Sequence, residues 1–143
     1  MCIRYSIALL GLAALVGCES SMGPTANKGT SSTVLAASAG GAQYPQNMQP
    51  TTDVPLVALD RRGGGSITLI NPTDQPMSDM KVWINGTYMQ PLDNLPARSM
   101  VTLRQSDFYN NSGSSLDQAK ATIDRVDVQT GNKLIRVQGP VMH

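Results

Sequence analysis

Apolar residues fall along this chain in three regimes. From Tyr5 to Val16 they are almost continuous, interrupted only by Ser6 and by small residues. From Glu19 to about Pro55 they nearly vanish into Ser, Thr, Gly, Ala, Asn, Gln and Pro, with Val34-Leu35 an isolated pair and Tyr44-Pro45 set among Gln and Asn. From Val54 onward short runs recur in which apolar and polar positions alternate, each closed by turn residues. Only the third regime carries the period of two that marks half-buried strands.

The third regime divides into six or seven such runs. Val54–Leu59 is followed by the turn Arg61-Arg62-Gly63-Gly64-Gly65. Ser66–Asn71 puts Ile67 and Leu69 on one face, and Asn71-Pro72-Thr73-Asp74-Gln75-Pro76 reads as a loop. Asp79–Ile84 sets Met80, Val82 and Ile84 against Lys81 and Trp83, so either Trp83 faces the core or it lies on the outer surface. Asn85-Gly86 separates that run from Thr87–Gln90, and Asn-Gly is the strongest short hairpin signal, because a type I′ turn needs positive φ at both positions. Pro91 to Pro96 breaks the pattern before Arg98–Gln105. Asp107–Ser115 is a polar loop, and Leu116–Ala121 predicts one or two helical turns with Ser114 or Ser115 as N-cap. Ile123–Gln129 and Lys133–Gln138 flank Thr130-Gly131-Asn132 as a second hairpin. Turn signals every 8–12 residues predict an all-β fold, a small antiparallel β-sandwich. In strand count and spacing the region resembles immunoglobulin-like or fibronectin-like bacterial envelope modules, without the cysteine pair of antibody domains.

The first regime has the proportions of a secretory signal. Arg4 and the amino terminus supply a short positive region. The apolar segment is shorter than the roughly 20 residues a bilayer-spanning helix needs. It ends in Leu15-Val16-Gly17-Cys18, two apolar residues and a small one before a cysteine. The chain thereby resembles bacterial lipoproteins cut by the lipoprotein signal peptidase. The resemblance implies cleavage between Gly17 and Cys18, a diacylglycerol thioether on Cys18, and further acylation of the new amino group. Two or three acyl chains give stable membrane anchoring, whereas one does not. With Glu19 rather than aspartate next, the resemblance implies outer-membrane localisation, at the periplasmic face or the cell surface.

The predicted organisation is a signal peptide at 1–17, a flexible lipid-anchored tether at 18–53 and a β-sandwich at 54–143. As a random coil, about 35 tether residues average roughly 30–35 Å end to end. Its composition buries too little surface to offset the entropy of ordering, although Tyr44-Pro45-Gln46 would suit a segment that folds on a partner.

Taking residues 1–17 from the 143 leaves 126 residues, and taking Arg4 from the eleven Lys and Arg leaves ten against ten Asp and Glu. A near-neutral domain with no basic patch argues against nucleic acid as a partner. Cys2 lies in the segment to be removed and Cys18 would be blocked by its lipid, so no thiol or disulfide serves the mature domain. The single histidine is His143, the last residue, where a precisely oriented general base is not expected. No enzyme and no cofactor are therefore expected. Asp107 and Asp117 bracket an oxygen-rich loop, but Tyr109 and Gln118 stand where an EF-hand needs ligands. Met77, Met80, Met142 and His143 offer a soft set for copper, dispersed rather than dense. The expected function is a non-catalytic binding or structural module, anchored to the membrane through Cys18 and engaging an envelope protein or polysaccharide. Periplasmic copper handling is the alternative. Trp83, Tyr88, Phe108 and Tyr109 are the candidate binding surface, since a chain with few aromatics spends them on recognition, unless they are needed to complete a small core.

Overall fold

Seven strands form two antiparallel sheets that close over one apolar interior. The structure is a computed structural model and describes residues 31–60 and 65–139. In order the strands are β1 (Val57–Asp60), β2 (Ser66–Asn71), β3 (Met77–Ile84), β4 (Tyr88–Leu95), β5 (Ser99–Arg104), β6 (Val126–Thr130) and β7 (Lys133–Arg136). Two helices, α1 (Ser32–Gly40) and α2 (Leu116–Ala119), accompany them. One sheet has the order β1-β2-β5 and the other β4-β3-β6-β7. The result is an all-β sandwich in which β4 pairs with β3 rather than with β5.

The alternation read from the sequence sets which side chains meet. Ile67 and Leu69 of β2 and Val101 and Leu103 of β5 face Met80, Val82 and Ile84 of β3, with Val126 and Val128 of β6 beside them. The Asn85-Gly86 turn has φ of 54° and 67°, the double positive φ that a type I′ hairpin demands. At the second hairpin Thr130 pairs with Lys133, and Gly131 alone takes a positive φ, 53°, as glycine does at the first position of a type II′ turn.

Some boundaries differ from expectation. β1 begins at Val57 and β6 at Val126, each three residues later than the apolar pattern suggests. β4 continues through Pro91 to Leu95 instead of ending at Gln90. It can do so because β4 is an edge strand. The Met89 N–H points away from β3, to the Tyr109 carbonyl at 2.9 Å. The nitrogen of Pro91, two residues on, lies on that same open side, where a missing donor costs no ladder bond.

The largest difference lies in the segment read as a flexible tether. Of residues 18–53, those described carry structure: Ser32–Gly40 is helical, with Leu35 and Ala39 buried. Farther on, the Thr51 N–H donates to the Leu134 carbonyl at 2.8 Å, and the Arg136 N–H donates back to Thr51 at the same distance. Residues 32–44 lie over the outer face of the four-stranded sheet as a third layer, with Ala39, Ala42 and Tyr44 packed on Trp83 and Met89.

β1 joins the two sheets at one edge. It pairs with β2, while the Gln138 N–H donates to the Leu56 carbonyl at 2.8 Å and the Ala58 N–H donates to Gln138 at 3.1 Å. The next residue, Gly139, has no room for a side chain, since a Cβ there would stand 2.3 Å from the Ala58 carbonyl oxygen. Backbone cannot swing aside as a side-chain tip can. Gly139→Ala is therefore expected to lower stability by about 1–3 kcal/mol in urea unfolding. Gly41→Ala, where a Cβ meets nothing within 4 Å, should stay within roughly 0.5 kcal/mol of the parent.

Candidate functional site

The strand period sends Trp83 to the face opposite Val82 and Ile84, which is the outer face of the sheet. It is nevertheless only 1% exposed, because Ala39, Ala42 and Tyr44 cover it. Tyr44 meets the indole edge-on, with ring centroids 5.6 Å apart. The indole N–H donates to Gln129 Oε1 at 3.3 Å.

Beside Trp83, its cross-strand partner Asp127 lies on the same face with no solvent exposure. A buried carboxylate must be paired or it destabilises the fold by several kcal/mol. Three groups supply partners. Arg136, opposite Asp127 in the β6–β7 ladder, donates from Nε to Oδ1 at 2.7 Å. Tyr44 donates its hydroxyl to Oδ2 at 2.8 Å. Arg125, two residues back on the same face, brings Nε to 2.9 Å from Oδ2 as an ion pair, but the N–H is not aimed at the oxygen and is buried without a hydrogen-bond partner. The Arg125 guanidinium also lies 5.2 Å from the centroid of the Tyr44 ring, a cation–π contact. Burial raises the Tyr44 pKa, and the hydrogen bond to Asp127 and its charge raise it further against the opposing pull of the two arginines. The Asp127 hydrogen bond likewise raises Arg136.

Two turns frame the cluster. Asn85 accepts from the N–H groups of Asp124 and Arg125 at 2.9 and 3.0 Å and donates to the Thr122 carbonyl at 2.7 Å, which ties the hairpin turn to the start of β6. Asn110 accepts at Oδ1 from Ser112 N–H, Ser112 Oγ and Ser114 N–H. Asn111, with its amide nitrogen turned to them, reaches the carbonyls of Ala39 at 3.1 Å and Ala42 at 3.0 Å, so this loop holds the end of α1. Between the two turns opens a groove of about 490 Å³ lined by Tyr44, Trp83, Gly86, Thr87 and Asn110 to Ser112.

The four aromatics expected to share a surface do not. Phe108 is fully buried in the interior between the sheets, where the half-buried Tyr88 also packs. Trp83 and the half-buried Tyr109 belong to the outer layer. Parity explains the division, because Tyr88 shares the inward face of β4 with Leu92, whereas Trp83 points outward from β3. Tyr44, assigned to the tether, completes the aromatic group instead. Arg125, Asp127 and Gln129 show their shared face in the alternation with Val126 and Val128, and the Gly131-Asn132 turn sets Arg136 opposite Asp127.

Other candidates are placed as follows. Gln118, at the EF-hand mismatch, donates its backbone N–H to Ser115 Oγ while its side chain accepts from the Ser115 N–H, a capping box that starts α2. Met80 is buried in the interior, and the half-buried Met77 packs against that interior. Among the described residues no three His, Cys, Asp or Glu side chains gather as a metal site. Gly17, Cys18, Met142 and His143 lie outside the described residues. No family model matches the chain, and no curated protein or solved structure is similar to it.

Two outcomes test this layer. Ala39→Glu places a carboxylate where there is no room for solvent and should unseat α1. Emission from Trp83, the single tryptophan, is expected to shift to the red and become quenchable by iodide while the β-sheet circular dichroism persists. Tyr44→Phe removes a hydrogen bond to a charged group and should cost about 1.5–3 kcal/mol at neutral pH. Because the folded-state pKa of Tyr44 is raised above 10.0, its contribution is fully present below that value and is lost as pH climbs through the raised one. The gap between parent and Tyr44→Phe should accordingly narrow at strongly alkaline pH in denaturant titrations.

Proposed function

We propose that this chain is a lipid-anchored envelope protein whose sandwich is a non-catalytic binding or structural module for an envelope protein or polysaccharide. The motif Leu15-Val16-Gly17-Cys18 behind a short apolar run carries the reading. It makes residues 1–17 a signal that is removed and Cys18 the acylated amino terminus, held at the outer membrane on its periplasmic face or at the cell surface. The architecture is consistent with this role. Rigid strands present two hydrogen-bonded turns beside one groove, and the domain is stabilised by burial with no cysteine in residues 19–143.

The test is acylation in a bacterial host. Full-length protein fed radiolabelled palmitate is expected to incorporate label and to fractionate with membranes. Cys18→Ser should lose both the label and cleavage after Gly17. Label retained by Cys18→Ser, or an unlabelled soluble parent cut elsewhere, overturns the anchor.

A further inference from the structure

The groove beside the Asp127 cluster carries more chemistry than packing requires. Two guanidiniums share one buried carboxylate, so the cluster holds one surplus positive charge. The Arg125 side chain keeps 38% of its surface exposed. Its Nη2 lies so near Gly86 that a Cβ there would come within 2.6 Å of it, with the Tyr44 ring 3.5 Å from the same point. Gly86 and Tyr44 both line the groove while Arg125 does not, so this guanidinium stands beside the groove, next to Gly86, and none of the lining residues is Asp or Glu. The nearest carboxylate in sequence, Asp124, takes the Thr122 hydroxyl at 3.3 Å.

The lining itself is neutral and two-faced in hydrogen bonding. Asn110 spends its Oδ1 on the loop, leaving an amide NH₂ with two donors. Asn111, once its nitrogen is given to α1, keeps an acceptor oxygen. Ser112 and Thr87 add hydroxyls that donate and accept. Amides and hydroxyls around aromatic edges match a ligand whose own hydroxyls do both, and a volume of about 490 Å³ lies within the roughly 300–1,000 Å³ of small-ligand sites. Arginine adds planar, charge-assisted recognition of a carboxylate. We propose that this groove binds an acidic saccharide, with sugar hydroxyls on the Asn110–Ser112 loop and the sugar carboxylate on Arg125. The inference rests on the envelope-module reading and names its ligand class.

Trp83 lines the groove and is the chain's single tryptophan, so its fluorescence reports occupancy directly. The mature chain, residues 18–143 with Cys18→Ser, is titrated with trigalacturonate, maltotriose, an aspartate tripeptide and inorganic phosphate. Trigalacturonate is expected to give a saturable, salt-sensitive change and to bind about tenfold or more tighter than the other three, the margin of one charge-assisted contact. Arg125→Gln should lose about that factor. Thr87→Phe, at an exposed turn position whose side chain makes only a 3.4 Å bond to Asn85, fills the groove without touching the core and should lose it too. Equal binding of maltotriose removes the charge argument. Equal binding of the aspartate peptide or phosphate makes the site one for anions in general. Absence of binding, or an unchanged Thr87→Phe, overturns the site. Palmitate labelling of the full-length protein is independent of all these outcomes, so failure of the groove and failure of the anchor are told apart.

Discussion

A carboxylate without solvent contact is the group the outer half of this molecule must satisfy. Asp127 occupies a central strand of the four-stranded sheet with no exposure, and an ion so placed is tolerated only with close partners and filled hydrogen bonds. Arg125 and Arg136 are delivered by the strand period and the hairpin register, which any folded version of this sheet would supply. The third partner is different in kind. Tyr44 arrives from 83 residues earlier in the chain and brings its hydroxyl to one oxygen, its ring face to Arg125 and its edge to Trp83. Without that segment the sheet's outer face would present the ion cluster and an indole to water. The sandwich is therefore a three-layered object on this side, and the cover is part of its electrostatics as much as its packing.

The same contact accounts for α1. Nine residues, Ala, Ser, Thr and Gly around one Val-Leu pair, are marginal as an isolated helix in water. Packing holds them: Leu35 and Ala39 are buried one turn apart while Val34 stays 54% exposed. Small side chains at the contact let the segment lie close to the sheet, and Asn111 adds a side-chain donor to the Ala39 and Ala42 carbonyls at the end of the helix.

This explains what was legible in the sequence and what was not. β2 over Ser66–Asn71, the Asn85-Gly86 turn and the grouping of Met80, Val82 and Ile84 on one face of β3 all follow from local chemistry, since alternation and positive φ are written residue by residue. The cover was not legible, because composition measures average apolarity and Ala39 and Ala42 contribute little to it while filling a contact well. Once the cover is misread, the site is misread with it. Trp83 is left as core or surface, Tyr44 is placed in the tether, and Tyr88 and Phe108 are grouped with Trp83 by residue type although they pack in the interior. The Asp127–Arg136 pairing was within reach from the hairpin register, but its burial depended on a segment far away in sequence.

Docking of residues 32–44 also changes what the anchor does. With Cys18 as the acylated terminus, the chain between anchor and helix is residues 19–31, not the whole of 18–53. Thirteen residues reach at most about 45 Å when fully extended. The groove lies beside the end of α1, about 14 Å from its start by helical rise. An anchor at Cys18 would join the described domain through the start of α1, which lies on the four-stranded side where the groove also opens. Under the proposed anchoring, a ligand for the groove would be met within that extended reach of the membrane surface.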